Sequence, residues 1–236
     1  MKLDCLVIAA HPDDAEISVG GTLLKLAAAG KKTGVVDVTR GELGTRGTAE
    51  DRAQESSRAS ELLGLSFRHN LDAGDGRVVV TPELRERLAS IIRENAPELV
   101  LCHHTEDLHP DHAASGRLAR EAWYLAGLGR LAEQAGGAPA HRPQRIYEFL
   151  GHVPFDPTVV VDIGSVWEEK VALVQTYASQ LAPSDDSDGG EHLLFGADIL
   201  KRMETKARFF GERAGLRLGE PLLHRGPLPA FDPLLS

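Results

Sequence analysis

Apolar and polar positions along this chain fall into blocks of two kinds. Short continuous apolar runs alternate with longer stretches in which apolar residues recur every three or four positions, the signatures of buried strands and amphipathic helices. LDCLVIAA at 3–10 reads as a buried strand, and AEISVGGTLLKLAAAG after it as a helix ending at Gly30. KTGVVDVT at 32–39 is a second strand, followed by the polar loop RGELGTRGT. AEDRAQESSRASELLG at 49–64 predicts a helix stopped by Gly64, with Ala53, Ala59, Leu62 and Leu63 available for its inner side. FRHNL is a short strand, and PELRERLASIIREN at 82–95 is a helix begun by Thr81 and Pro82. ELVLCH at 98–103 is a further buried strand, after which come a polar loop, HTEDLHPDH, and a helix through AASGRLAREAWYLAG.

This βαβα order predicts an α/β fold, a Rossmann-like three-layer sandwich in which a mostly parallel sheet lies between helices. Continuously apolar strands fit burial on both faces. Past residue 129 the rhythm changes. GRLAEQAGGAPAHRPQ reads as a loose connection, RIYEFL and TVVVDI as added strands, and GSVWEEKVALVQTYASQL as one helix. The polar stretch 182–193, APSDDSDGGEHL, is a candidate lid, because long loops are often functional. A last helix, ADILKRMETKARFFGERAG, precedes a Pro-rich tail expected to pack as an extended segment. The expectation is a single domain over 1–236, with a core at 1–128 and a C-terminal extension at 129–236.

Composition narrows the partners. With 236 residues, 26 basic against 35 acidic and a formal charge of −9, the chain lacks the broad basic footprint of a nucleic-acid binder. Cys5 and Cys102 lie inside apolar runs, without the spacing of a redox pair or a thiolate metal site, and are expected to be buried free thiols. No basic-then-apolar leader and no bilayer-length apolar run is seen, so the expectation is a cytoplasmic protein with no membrane partner.

Chemistry concentrates in two loops. The first, AAHPDDAEISVGG at 9–21, offers His11, Asp13, Asp14 and Glu16; the second offers His103, His104, Asp107, His109, Asp111 and His112. If the sheet winds outward from its first and fourth strands, both loops open into one crevice at the strands' C-terminal ends. Imidazole nitrogen and carboxylate oxygen together suit zinc and neighbouring divalent ions. Spare groups beside such an ion could move protons and stabilise an oxyanion. A plain helix cap also explains Pro12, Asp13 and Asp14, but the recurrence of His-Pro-Asp at 11–13 and 109–111 after two buried strands argues for chemistry. Gly20 and Gly21 lack dinucleotide-binding spacing and are assigned to close helix–sheet packing. Two rivals stay open at this level: a metal-dependent hydrolase of another bond, such as a phosphoester, and a non-catalytic nucleotide- or sugar-binding module.

AHPDDAEISVGGTL together with HPDH resembles the PIG-L/LmbE-like zinc-dependent N-acetylglucosamine deacetylases. The likeness continues through TRGELGTRGT, RAQESSRASELLG, HTEDLHPDH and YASQL into RFFGERAGLRLGEPLL. Ala15 departs from the family's AHPDDE-type loop and displaces the acid to Glu16, as in the branch resembling bacillithiol-pathway N-acetylglucosaminyl-malate deacetylases. The resemblance implies that His11, Asp14 and His112 bind zinc, with Fe2+, Co2+ or Mn2+ as substitutes. It implies Asp13 as general base, His109 as oxyanion stabiliser or acid, and Asp111 as the group that orients it. Glu42, Arg46, Arg52 and Asp75 match positions that hold the sugar, and His152 is a further substrate-contact candidate. The expected partner is a small acetylated amino sugar, above all N-acetylglucosaminyl-L-malate, with other small N-acetylglucosamine conjugates or a chitooligosaccharide next, bound by a homo-oligomer. Glu16 is left to the helix N-terminus or a supporting role.

Overall fold

Five unbroken apolar residues, Cys5–Ala9, form strand β1, and every one is buried. The structure, a computed structural model, describes residues 2–44, 47–181 and 199–227. The lid stretch 182–193 and Arg46 therefore lie outside the described residues. After β1 come α1 (Asp14–Ala28), β2 (Thr33–Asp37), α2 (Ala49–Leu63), β3 (Phe67–Asn70), α3 (Pro82–Asn95), β4 (Leu99–His103) and α4 (Pro110–Ala126). Among the described residues seven strands make one sheet, ordered β3-β2-β1-β4-β5-β7-β6, with β5 at Arg145–Phe149, β6 at Val159–Asp162 and β7 at Gly219–Leu223. The mixed α/β sheet with helices on both faces is the expected fold. β1 pairs in parallel with β2 and with β4, in a register that sets Ile8 beside Cys102. The winding thus reverses between β1 and β4, and the loops that leave their C-terminal ends emerge side by side.

Helix ends follow local chemistry. α2 starts with a capping box, in which Thr48 accepts from Asp51 N–H and Asp51 accepts from Thr48 N–H; it stops at Gly64 in the left-handed conformation. Its buried face is Arg52, Glu55, Ala59 and Leu63, while Ala53 and Leu62 point outward. The apolar pattern placed Ala59 and Leu63 and missed Arg52 and Glu55, two charged residues of this helix that serve the interior. One core cluster packs α1, α2, α6 (Trp167–Val174) and α8 (Ile199–Arg213) on one sheet face through Leu23, Leu63, Leu173 and Met203. The other packs α3 and α4 on the opposite face through Leu88, Ile92, Leu118 and Ala119.

The C-terminal additions differ from expectation in three places. A seven-residue helix, α5 (Gly129–Ala135), interrupts the loose connection. The single helix expected over 164–181 is a 3₁₀ turn (Gly164–Val166), then α6, then α7 (Ala178–Leu181). Its break buries Tyr177, whose hydroxyl accepts from Arg68, and lets Ser179 donate twice to Glu55 of α2. The extended tail contains β7, which inserts antiparallel between β5 and β6. Pro221 in mid-strand disguised it, because proline donates nothing to a ladder.

Gly21 is the close-approach point of α1. A Cβ there would stand 2.6 Å from Ile163 Cγ2 and 2.9 Å from Glu220 Oε1. The helix kinks at Val19, and the carboxylate of Glu220 takes up the N–H groups of Gly21 and Thr22 at 2.9 and 2.7 Å. The same carboxylate accepts Lys170 Nζ at 2.5 Å, with both side chains almost fully buried. Cys5 and Cys102 are free and buried, and burial pushes both thiols far above their usual range. Among the described residues no helix is long and apolar enough to cross a membrane.

Candidate metal centre

The chain leaves β1 at Ala9 and turns through His11 with Asp13 at φ +125°, a strained conformation for a residue other than glycine. Such strain costs about 1–3 kcal/mol and concentrates at functional sites. Asp13 occupies the N-cap of α1, yet its side chain makes no capping bond. Asp14 closes the turn instead, its Oδ2 accepting His11 N–H at 2.9 Å. The turn therefore accounts for Asp14 and leaves the carboxylate of Asp13 without a local task.

Asp14 Oδ2 is the hub of the site. It lies 3.1 Å from His11 Nδ1, 3.2 Å from His103 Nε2 and 3.4 Å from His112 Nε2. Donors on a tetrahedral ion with bonds of 2.0–2.1 Å stand about 3.3 Å apart, and all three spacings are compatible with that. His11, Asp14 and His112 each offer a ligand atom within 4.8 Å of the others, as do two overlapping groups, His11–His109–Asp111 and Asp107–His112–His152. Two imidazoles and a carboxylate are a donor set suited to zinc or a similar divalent ion. Burial works against a charge on Asp14, but the histidines His112 and His103 outweigh it and hold the carboxyl well below its usual range. His103, wholly buried and stacked on His112 at 4.1 Å, is depressed to about 4 by burial and by the charge of His112.

Second contacts fix the first set. His11 Nε2 faces Asp75 Oδ1 at 3.1 Å and Asp111 Oδ2 at 3.6 Å. A carboxylate behind a ligating histidine sets its orientation and raises its basicity. Asp75 Oδ2 also accepts Leu43 N–H at 2.9 Å, and Asp75 is driven down to about 2 because the His11 and Leu43 hydrogen bonds outweigh its burial. Asp75 is thus placed behind His11, and it also lines the cavity of the site. Glu42 ties its loop to the next by accepting the N–H groups of Asp75 and Arg40.

Asp13 is pushed up to about 7, first by burial and then by the charge of Asp14, with Arg52 and His11 opposing. Arg52 is buried, and its Nη1 lies 4.0 Å from Asp13 Oδ2. The RGELG loop is shaped to admit it. A Cβ on Gly41, which sits at φ +67°, would collide with the guanidinium, and one on Gly44 would come within 2.5 Å of it. Arg52 Nη2 donates to Gln180 of α7.

His109 caps α4, its Nδ1 accepting Asp111 N–H at 3.2 Å. An accepting Nδ1 in a neutral ring leaves the proton on Nε2 as a donor. Burial and His112 both lower His109, which favours that neutral ring. The orienting bond comes from the backbone of Asp111. Its carboxylate accepts Gly76 N–H at 2.6 Å and Val78 N–H at 3.2 Å. His152 is held through Nδ1 and its backbone N–H by Asp107, each at 2.8 Å. Sequence reasoning gave His103 and Asp107 no final role, although both stood in the second polar loop. Glu16 is fully buried, and Arg68 Nη1 donates to it at 2.7 Å, inside a cluster with Asp37. His104 turns away to Glu148.

These groups open on a cavity of about 450 Å³. His11, Asp13, Asp14, His109 and His112 line one side; Arg202, Met203 and Lys206 of α8 line another, with Arg52 and Gln180 between. Glu42 is not among its lining residues. No sequence signal pointed to α8, since only the sheet's added strands bring it over the crevice.

Known proteins share this architecture. A conserved protein from Thermus thermophilus superposes with a TM-score of 0.86 at 36% identity, over 98% of each chain. The diacetylchitobiose deacetylase of Thermococcus kodakarensis is 32% identical over 91% of this chain and 80% of its own length. The 4-oxalmesaconate hydratase of Pseudomonas putida is also 32% identical, over 74% of this chain and 73% of its own. Residues 6–123, which carry both polar loops, match the PIG-L family, described as GlcNAc-PI de-N-acetylase, and the chain belongs to that family.

Proposed function

We propose that this chain hydrolyses the acetamide of an N-acetylglucosamine conjugate, releasing acetate and a free amine, with zinc as its ion. The observation that carries this reading is a three-donor set, His11, Asp14 and His112, beside a largely buried carboxylate, Asp13, whose side chain makes no capping bond. A divalent ion bound there would supply a Lewis acid for the acetyl carbonyl and lower the pKa of a water molecule; Fe2+, Co2+ or Mn2+ suit the same donors. Asp13 takes the proton of the attacking water on its carboxylate and returns it to the departing amine. Before an ion binds, burial and the neighbouring Asp14 carboxylate raise Asp13 above the ordinary carboxylate range, the direction that favours holding a proton. His109 offers Nε2–H to the developing oxyanion while the N–H of Asp111 holds its other nitrogen. Arg52, 4.0 Å from Asp13, puts a positive charge beside it on the cavity wall.

N-acetylglucosaminyl-L-malate is the first substrate to test. Its carboxylates need cations, and Arg52, Arg202 and Lys206 line the cavity. The name of the Thermococcus relative sets diacetylchitobiose beside it. In the same reading the chain is one catalytic domain, working in the cytoplasm as a homo-oligomer on a small acetylated amino sugar. A second reading has one observation in its favour: the Pseudomonas relative is named a hydratase. A base that deprotonates water serves addition to a carbon–carbon double bond as well as amide hydrolysis.

The test is a substrate panel on zinc-loaded protein. N-acetylglucosaminyl-malate, diacetylchitobiose and free N-acetylglucosamine are followed by new primary amine, and 4-oxalmesaconate by loss of its conjugated absorbance. Amine release from one of the sugars, absent after metal stripping, supports the deacetylase reading. Hydration with no amine release replaces it with the second.

A further inference from the structure

Asp107 gathers more of the site than its place in the sequence suggests. Its carboxylate is wholly buried in the loop before α4. Oδ1 accepts His109 N–H at 2.9 Å and lies 2.8 Å from His152 Nδ1; Oδ2 accepts His152 N–H at 2.8 Å. The same Oδ1 stands 3.4 Å from His112 Nδ1. That nitrogen is buried and has no hydrogen-bond partner. A buried ring nitrogen left unpaired is costly, and a ring movement of a few tenths of an ångström toward Asp107 removes the cost.

The chemistry of ligation selects that movement. A neutral imidazole that gives the Nε2 lone pair to a metal must carry its proton on Nδ1, and a carboxylate facing Nδ1 fixes this tautomer. The backbone closes the arrangement from behind. A Cβ on Gly151 would collide with Asp107 Oδ2 and lie 3.0 Å from His112 Nδ1, so only glycine lets this strand end press against the pair. Gly151 O in turn accepts Lys206 Nζ of α8. The rings of His112 and His152 stack with centroids 5.1 Å apart, sharing one carboxylate at their edges.

We propose that Asp107 is a positioning residue that serves two histidines at once, holding His112 with Nε2 toward the metal donors and His152 against the substrate side of the cavity. The substrate half rests on the deacetylase reading; the metal half does not.

The test starts with the wild-type chain carrying ¹⁵N-labelled histidine and one equivalent of zinc. His112 is expected with a protonated Nδ1 and a zinc-shifted Nε2. Competition with a chelator then compares zinc affinities. Asp107→Asn should bind zinc about 10–100-fold more weakly. His152→Gln should keep the wild-type affinity and raise KM on the sugar that is turned over. Zinc on Nδ1 of His112, a second equivalent of zinc held by Asp107, His112 and His152, or undiminished affinity in Asp107→Asn overturns the proposal. Should Asp107→Asn not fold, the wild-type Nδ1 proton of His112 decides: a downfield, slowly exchanging proton supports its bond to Asp107, and a freely exchanging one overturns the proposal. If no acetamide is hydrolysed while Asp107→Asn weakens zinc binding, the deacetylase reading fails and the metal half stands.

Discussion

Asp13 and Asp14 are adjacent carboxylates with opposite electrostatics, and that division is the main result at the scale of single residues. Asp14 is surrounded by imidazoles and held ionised; Asp13 is buried beside Asp14's charge and raised to about 7. Asp13→Asn should therefore lower turnover about 10²–10⁴-fold with the metal still bound, read by steady-state rates and metal analysis. Loss of metal in that variant would mean that base and ligand are exchanged. The same substitution should raise the Tm of metal-free protein at pH 8. A carboxylate whose folded pKa lies above its ordinary 3.8 destabilises the fold wherever it is charged, so the gain should shrink as pH falls toward 4. The residue types were legible in the sequence because His-Pro-Asp occurs at the ends of two buried strands. What Asp75, Asp107 and Asp111 hold was not, because their partners come from other loops: His11, His152 and the 76–78 backbone.

At the scale of elements, patterning placed β1 to β4 and their helices within a few residues, since each is a local signal of period or capping. It failed where tertiary contacts decide. α2 buries Arg52 and Glu55 because its neighbours are the site and α7; β7 carries a mid-strand proline; the 164–181 helix breaks to seat Tyr177. The α1–β7 contact should be sensitive to bulk. Gly21→Ala places a methyl 2.6 Å from Ile163 Cγ2 and should cost about 1–3 kcal/mol, seen as a lower urea midpoint at unchanged m-value. An unchanged midpoint would mean that α1 can slide away freely. Glu220→Ala leaves Lys170 buried without its charge partner and should cost about 3–5 kcal/mol.

For the whole molecule, the sheet order is what makes a site from loops ninety residues apart, and it was legible because the βαβ rule leaves few alternatives. The far wall was not, since α8 reaches the cavity only through β5, β7 and β6. The fold also carries an acid-sensitive frame. Burial opposes ionisation of Glu148, yet hydrogen bonds from Arg225 and His104 hold it below its ordinary 4.5, and Asp75, Asp107 and Asp111 are likewise held low. Groups depressed in the folded state stabilise it above their unfolded values and lose that contribution as pH falls through the folded ones. The Tm of the metal-free protein should accordingly drop as pH is lowered from about 4.5 toward 2; a flat profile there would show that these carboxylates titrate as in the unfolded chain. The most direct test of the central claim is the stoichiometry of acetate and primary amine from an N-acetylglucosamine conjugate, measured on zinc-loaded, metal-stripped and Asp13→Asn protein side by side. Equal acetate and amine from the loaded wild type, at most about a hundredth of either rate from Asp13→Asn, and neither product above background from the stripped protein, is the predicted result. Equal rates in the loaded wild type and in Asp13→Asn, or no amine from any acetamido sugar, would contradict it.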